Sequence, residues 1–330
     1  MSAGRKSLLV YSGRELIGDG LQKLPVVRAA RALFPEHRIH WLTNEETVFR
    51  TALAPLVQGL LDEVSVRPDV VRDKWDILRR PPLDERYDVI VDTQHATWRS
   101  LALRRIRHRL FVSSAARFLL SDRRPAWPFR RPKNVVHRLL LLLELAAGRP
   151  AEFGGIALPV PADIAGKAAL ALPEGPRYLG LAPGAGRRVK CWPLERFVEV
   201  ARHHAASGGV AVFFVGPAEG DWLAELRAAV PEALFPLQDK DLWGDAFSPL
   251  ITVALGQRLA AALCNDSGVG HMLAAADIPL LTLFGPTDVE KFRPAISRGA
   301  VLSAQSFGDA AMTAIPTDAV VSELEALMAG

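Results

Sequence analysis

Two patterns of apolar positions alternate along this chain. Short runs of consecutive apolar residues are each followed by a stretch in which apolar residues recur every three or four positions. The runs "SLLVYS", "RIHWLT" and "YDVIVDTQ" in the first half predict buried parallel strands, because a strand covered on both faces needs apolar residues at successive positions. "GRELIGDG" reads as a glycine-marked loop. The spacing of Leu24, Val27, Ala30 and Leu33 predicts a helix after it, with Pro25 in the first turn, where its missing N–H costs little. The second half repeats the alternation more cleanly. "RYLGLAPGAG" predicts a strand and loop, and "PLERFVEVARHHAASGG" a helix closed by glycines. "VAVFFVGPAEG" predicts another strand and loop, with a helix from Asp221, and "LITVALGQRLAAALCND" runs from helix into strand. "IPLLTLFG" and "DAVVSELEALMA" predict a last strand and a closing helix. Proline and glycine thicken between Gly148 and Gly175, marking a linker. The expected class is α/β, with two Rossmann-like domains over about 1–160 and 161–330. Ligands of such sheets sit beyond the carboxyl ends of the strands, so the second-half loops are expected to converge on one cleft.

Composition narrows this picture only slightly. The chain has 330 residues, 49% hydrophobic and 23% charged, within the ordinary globular range. Cys191 and Cys264 lie far apart with no CxxC or Cys/His spacing, which argues against a disulfide framework or a zinc site and for a reducing compartment. "LLVY" is too short for a signal-peptide core, and "LLLLLELAAG" falls well short of the roughly 20 residues that span a bilayer. A soluble, cytoplasmic protein is expected, peripheral at the inner membrane if the following charge pattern meets lipid. From Arg99 to Arg138 there are twelve Lys/Arg against the single acid Asp122, a local +11. The total is +4, so the remaining residues carry −7. Such a segment suits a polyanion, an anionic membrane surface or a phosphorylated acceptor; the plainer alternative is a solvated helix face and a basic loop.

The common phosphate motifs fail in turn. Gly18-Asp19-Gly20 is followed by Lys23, Gly184-Ala185-Gly186 by Val189, and Gly268-Val269-Gly270 by Leu273, so no GxGxxG is completed. No GxxxxGK[ST] occurs, and Asp239-Lys240-Asp241 reads as a solvated helix start rather than a metal-phosphate pair. A distributed anion site remains. The glycines of "LAPGAGRRVKCWP" would let backbone N–H groups approach a phosphate beside Lys190. Asp266-Ser267-Gly268 would start a helix carrying His271 in its first turn, with "GPTD" in a matching loop. Singly, Ser267 is no more than an N-cap, the glycines a turn and His271 a core histidine; together they favour a nucleotide-phosphate site.

Five segments remain to be read together: "LIGDGLQKLPVVRAARALFP", "YDVIVDTQHATWRS", "NVVHRLLLLLELAAG", "LAPGAGRRVKCWPLERFVEVA" and, most specific, "CNDSGVGHMLAAADIPLLTLFGPTD". In this order they resemble glycosyltransferase family 9, the ADP-heptose:lipopolysaccharide heptosyltransferases. The resemblance implies a GT-B fold, with donor on the C-terminal domain and acceptor on the N-terminal one. It implies inverting, metal-independent transfer from an ADP-activated sugar, with no cofactor. It puts Asp19 in the place of the general base and Lys190 on the donor phosphates. Gly184, Ala185, Gly186, Asp266, Ser267, Gly268 and His271 fall in the donor loops, and Glu219 near the nucleoside. On the acceptor side the candidates are Gly18, Gln94, Arg104 and Arg105. This chain departs from the family where some members carry hydroxyl residues before the lysine, having Ala185 and Gly186 instead. Two alternatives accompany this expectation: a catalytically silent nucleotide-sugar-binding member, and a nucleic-acid-binding protein that uses the basic segment with Trp98, Trp127 and Phe129 as stacking groups.

Overall fold

The structure, a computed structural model, describes residues 5–79, 81–244, 248–294, 296 and 298–329. It divides into two compact units, Met1–Gly154 and Gly155–Gly330. Each is built on a five-stranded, wholly parallel sheet.

In the first unit the strands are β1 (Ser7–Ser12), β2 (Arg38–Thr43), β3 (Glu63–Val66), β4 (Tyr87–Asp92) and β5 (His108–Ser113), in the order β3-β2-β1-β4-β5. Every residue of β1 is buried, as a central strand with both faces covered requires. The strand order reverses between β1 and β4, the point at which sheets of this kind form a ligand crevice beyond the strand ends. Helices Ile17–Leu33 and Val135–Ala147 pack against each other. The second is well closed at both ends: Asn134 accepts from Val136 N at 2.9 Å, and Gly148 turns left-handed with φ 74°.

The helix Ile17–Leu33 begins earlier than the apolar spacing predicts. Gly18, Asp19 and Gly20 lie in its first turn rather than in a loop, and Pro25 sits in its interior. Tertiary packing overrides local propensity here. Gly20 faces Val48 and Leu53 so closely that an added Cβ would stand 2.5 Å from Val48 Cγ2, and a buried stripe from Leu21 to Leu33 anchors the rest.

The second unit carries β6 (Tyr178–Ala182), β7 (Val210–Phe213), β8 (Ala261–Asn265), β9 (Leu280–Phe284) and β10 (Gly299–Ser303), in the order β10-β9-β8-β6-β7. Its core joins Leu179, Leu181, Phe197, Phe213, Leu263 and Leu283 to the closing helix through Val320 and Leu324. The order reverses between β6 and β8. Helix Ala162–Ala171, inside the stretch read as linker, packs on helix Pro249–Gly256 and so belongs to this unit. Asp239 accepts from Leu242 N at 3.0 Å as an N-cap, the role expected of the Asp-Lys-Asp segment.

Candidate active site

The second unit gathers loops from the carboxyl ends of four strands. Between β6 and β8, Lys190 Nζ donates to Asp266 Oδ2 at 2.8 Å, and Thr287 Oγ1 donates to the same oxygen at 2.8 Å. Lys190 follows β6, Asp266 follows β8 and Thr287 follows β9, so one carboxylate oxygen ties three loops together at the switch point. The lysine and aspartate side chains are 21% and 9% exposed, so the pair is neither sealed in the core nor loose on the surface. Ser267 caps the short helix Gly268–Ala274 by accepting from Gly270 N at 3.2 Å, and His271 lies half-buried in its first turn.

Asn265, the last residue of β8, holds this arrangement from beneath. It is fully buried, accepts from Trp192 N at 3.1 Å and donates to Pro183 O at 2.7 Å. The two bonds grip the β6 loop on either side of Lys190. Asn265→Ala would orphan a buried N–H and a buried carbonyl. It is expected to lower stability by about 2–4 kcal/mol, at roughly 1–3 kcal/mol per unpaired buried group. Urea unfolding of the two proteins measures this, and a loss under about 0.5 kcal/mol would show that the clamp is not structural.

Glu219 reaches the same loop from β7. An added Cβ on Gly184 would stand 2.6 Å from the Glu219 carboxyl carbon, so glycine is required for the acid to lie across the turn. Burial raises the Glu219 carboxyl above its ordinary range, and Arg188 opposes that shift. Arg188 itself stacks 4.0 Å from the Trp222 ring and pairs with Asp221 at 3.0 Å. Beside Glu219 lies a cavity of about 220 Å³ lined by Val215, Gly216, Leu237, Gln238, Trp243 and Ile251. Ala185 and Gly186 contribute no side-chain polar atom to this region, and nothing lies within 4 Å of a Cβ placed on Gly186.

In the first unit, Asp19 is exposed, and among the described residues its carboxylate makes one weak contact, accepting from Leu16 N at 3.4 Å. Lys23 lies one helical turn further on, on the same face. Its Nζ donates to Glu15 at 2.9 Å and to Ser12 at 2.8 Å. Burial alone would raise the Glu15 carboxyl, but Lys23, Ser12 and Thr47 hold it below the usual range. Lys23 also lines a small cavity of about 90 Å³ with Gln94, His95, Ser114 and Arg138. Gln94 packs over Gly13 and takes a 3.4 Å contact from Arg99, while Arg131 donates to His95 at 2.9 Å and to Ser114 at 3.2 Å. Arg138 has its acidity raised by burial and by Arg131, and its Nε, like that of Arg99, is buried with no partner among the described residues. Behind the cavity Asp92 is completely buried, and burial pushes its carboxyl up to about 6 against bonds from Ser100, Gln94 N and Ser113.

The residues singled out in the sequence are thus distributed unevenly. Gly184, Lys190, Glu219 and Asp266 come together in the second unit, with Ser267, Gly268 and His271 following directly. Gly18 and Asp19 open one helix in the first unit, and Gln94 lies at the crevice near Lys23. Arg104 and Arg105 do not join them. Arg104 is held by Asp122 and Leu120 O along the outside of β5, and Arg105 by Arg79 O. Lys23, Arg131, Arg138, Asn265 and Thr287 are not among the residues singled out in the sequence. Arg131 and Arg138 carry only the signal of the basic segment, and Thr287 that of its place in "GPTD".

Among the described residues no group of three or more His, Cys, Asp or Glu could hold a metal ion, and no helix is long and apolar enough to cross a membrane.

The family model described as glycosyltransferase family 9 (heptosyltransferase) matches residues 78–313. The chain is 26% identical over 289 residues to lipopolysaccharide heptosyltransferase 1 of Pseudomonas aeruginosa, covering 82% of this chain and 77% of that protein. Among solved structures, it is similar to a glycosyl transferase family 9 protein from Veillonella parvula, with a TM-score of 0.74, 17% identity and coverage of 100% and 99%. It is also similar to the E. coli ADP-heptose LPS heptosyltransferase II, with a TM-score of 0.66, 18% identity and coverage of 98% of each chain. The fold is that of GT-B proteins, with two Rossmann-like α/β domains.

Proposed function

We propose, on the premise that this chain belongs to glycosyltransferase family 9, that it transfers heptose from ADP-heptose to a saccharide of the lipopolysaccharide core type. Transfer inverts the anomeric centre and uses no metal ion. The observation that carries this reading is the Lys190–Asp266–Thr287 node at the reversal point of the second sheet.

In this reading the nucleoside occupies the cavity beside Glu219, whose carboxylate accepts from the ribose hydroxyls. The diphosphate lies over the β6 loop. Lys190, already held in place by Asp266, meets the charge that develops as the sugar–phosphate bond breaks. Asp266 spends one oxygen on Lys190 and Thr287, which leaves the other for a sugar hydroxyl. His271 and the backbone near Ser267 and Gly268 border the same space.

The acceptor belongs to the first unit. Asp19, exposed on the first helical turn, takes the proton of the attacking hydroxyl. Lys23, Arg131 and Arg138 stand at or beside the crevice with Gln94 and His95. The Arg138 Nε there, without a partner among the described residues, favours an acceptor that bears a carboxylate or phosphate. The P. aeruginosa relative's name supports a lipopolysaccharide acceptor.

A thermal-shift screen with ADP, UDP, GDP and their sugars tests the donor. ADP and ADP-heptose at about 100 times their Kd are expected to raise the melting temperature by roughly 4–7 °C. The other nucleotides should leave it in place. Stabilisation by UDP or GDP in preference to ADP would remove the donor assignment.

A further inference from the structure

Between β5 and helix Val135–Ala147 runs a segment of which the proposed reaction uses Arg131 alone. Its sequence, "RFLLSDRRPAWPFRRPK" from Arg117 to Lys133, holds six Lys/Arg and one acid. That acid, Asp122, is already paired with Arg104, whereas Arg117, Arg124 and Arg130 form no ion pair among the described residues. Two large apolar side chains stand out from this basic background: Trp127 is 91% exposed and Leu119 66%. A tryptophan left almost wholly in water forfeits the burial that such a ring normally supplies, and its neighbours hold it there.

Three features keep the segment in that posture. Ala116, Arg117 and Phe118 are consecutive non-glycine residues at φ 48°, 54° and 66°. A left-handed turn of L-residues is strained, and it delivers Leu119 outward. Phe129 packs edge-on against the buried Phe118 with ring centroids 5.6 Å apart, which pins the base of the loop while Trp127 projects. Arg123 donates to Leu145 O and Ala146 O at 3.0 Å, tying the loop to the end of the following helix. Pro125, Pro128 and Pro132 further limit the freedom of the chain between these anchors. Beneath the loop an open trough of about 860 Å³ has Arg123 and Arg124 on one side and Phe129, Leu141 and Leu145 on the other.

We propose that this loop docks the first unit on a bilayer bearing anionic headgroups, with Trp127 and Leu119 entering the headgroup–acyl boundary and the surrounding arginines meeting lipid phosphates. The chemistry selects a lipid surface over a nucleic acid. Tryptophan favours the interface between water and hydrocarbon, where its ring is apolar and its N–H stays wet. An isolated exposed leucine gains nothing from a phosphodiester backbone but gains burial in lipid. Arginines at this density are drawn to the negative potential of an anionic leaflet. A peptide partner would need a groove with paired apolar walls, whereas Trp127 and Leu119 project outward. The proposal is independent of the transferase reading, since docking needs neither donor nor acceptor.

Co-sedimentation of the full chain with extruded vesicles tests it. Vesicles of phosphatidylcholine with about one third phosphatidylglycerol should bind the chain, phosphatidylcholine alone much less, and binding should weaken as salt is raised. The double variant Trp127→Ser, Leu119→Ser should bind the anionic vesicles about tenfold more weakly or worse. Both side chains are exposed, so its melting temperature should stay that of the wild type. Wild-type affinity in the double variant would overturn the proposal. So would equal binding to neutral vesicles, or binding to single-stranded RNA without binding to either vesicle.

Discussion

Asp19→Asn is expected to lower kcat by about 10²–10⁴, the usual worth of a positioned general base, while leaving the KM for the nucleotide-sugar nearly unchanged. The split follows from where the residue lies. Asp19 belongs to the first unit, and every residue placed on the donor belongs to the second. The substitution keeps shape and hydrogen-bonding capacity but removes the charge that accepts a proton. Its single contact, 3.4 Å from Leu16 N, is weak enough that the helix should survive, because asparagine can still accept there. Steady-state kinetics with ADP-heptose and a core acceptor measure the split. Near-normal turnover would reduce Asp19 to a cap on its helix. Wild-type protein that binds ADP-heptose without turning it over would identify a binding module instead.

Lys190→Ala should damage both binding and chemistry. A donor aimed at developing charge is worth about 10²–10³ in kcat at comparable sites. The lysine also attracts the ground-state diphosphate, so the donor KM should rise as well. A further effect comes from its pairing in the unliganded protein. Lys190 neutralises Asp266, whose side chain is only 9% exposed, and its removal leaves that carboxylate beside the incoming phosphates with Thr287 alone. Repulsion then adds to lost attraction. The double variant Lys190→Ala, Asp266→Asn should therefore bind ADP more tightly than Lys190→Ala does, although it recovers no catalysis. Titration of the three proteins with ADP settles the matter. If the second substitution weakens binding further by an independent amount, the two residues act separately.

These expectations show which parts of the molecule are local. The inner strands β1, β2, β4, β6, β8 and β9 announce themselves as apolar runs because both faces are covered. Three of the four edge strands do not. β3 (EVSV) and β10 (GAVLS) have no fully buried residue, and β5 (HRLFVS) lies within the basic segment. An edge strand is held by pairing on one side only, so its composition need not betray it. The helix start at Ile17 was hidden for a related reason. Gly18 and Gly20 read as a loop until Val48 and Leu53 are seen to demand the smallness of Gly20.

The site divides along the same line. Lys190, Glu219 and Asp266 were visible as residue types in loops after strands, since small and polar residues at those points are a local property of the chain. Which arginines serve the first unit was not visible. In sequence Arg104, Arg105, Arg131 and Arg138 are equivalent members of one charged run, and only the folded chain ties the first two to Asp122, Leu120 O and Arg79 O while turning the others toward the crevice.

The order of residues by itself determined two alternating α/β halves, the family's motif series and the loops that carry its chemistry. Tertiary structure decided the rest: that Lys190 meets Asp266 across 76 positions, that Asn265 clamps the loop beneath them, and that Trp127 stays in water. The reason is physical. Burial pattern and turn chemistry act over a few neighbouring residues, whereas a contact between distant loops exists only once the sheet has placed both at one edge.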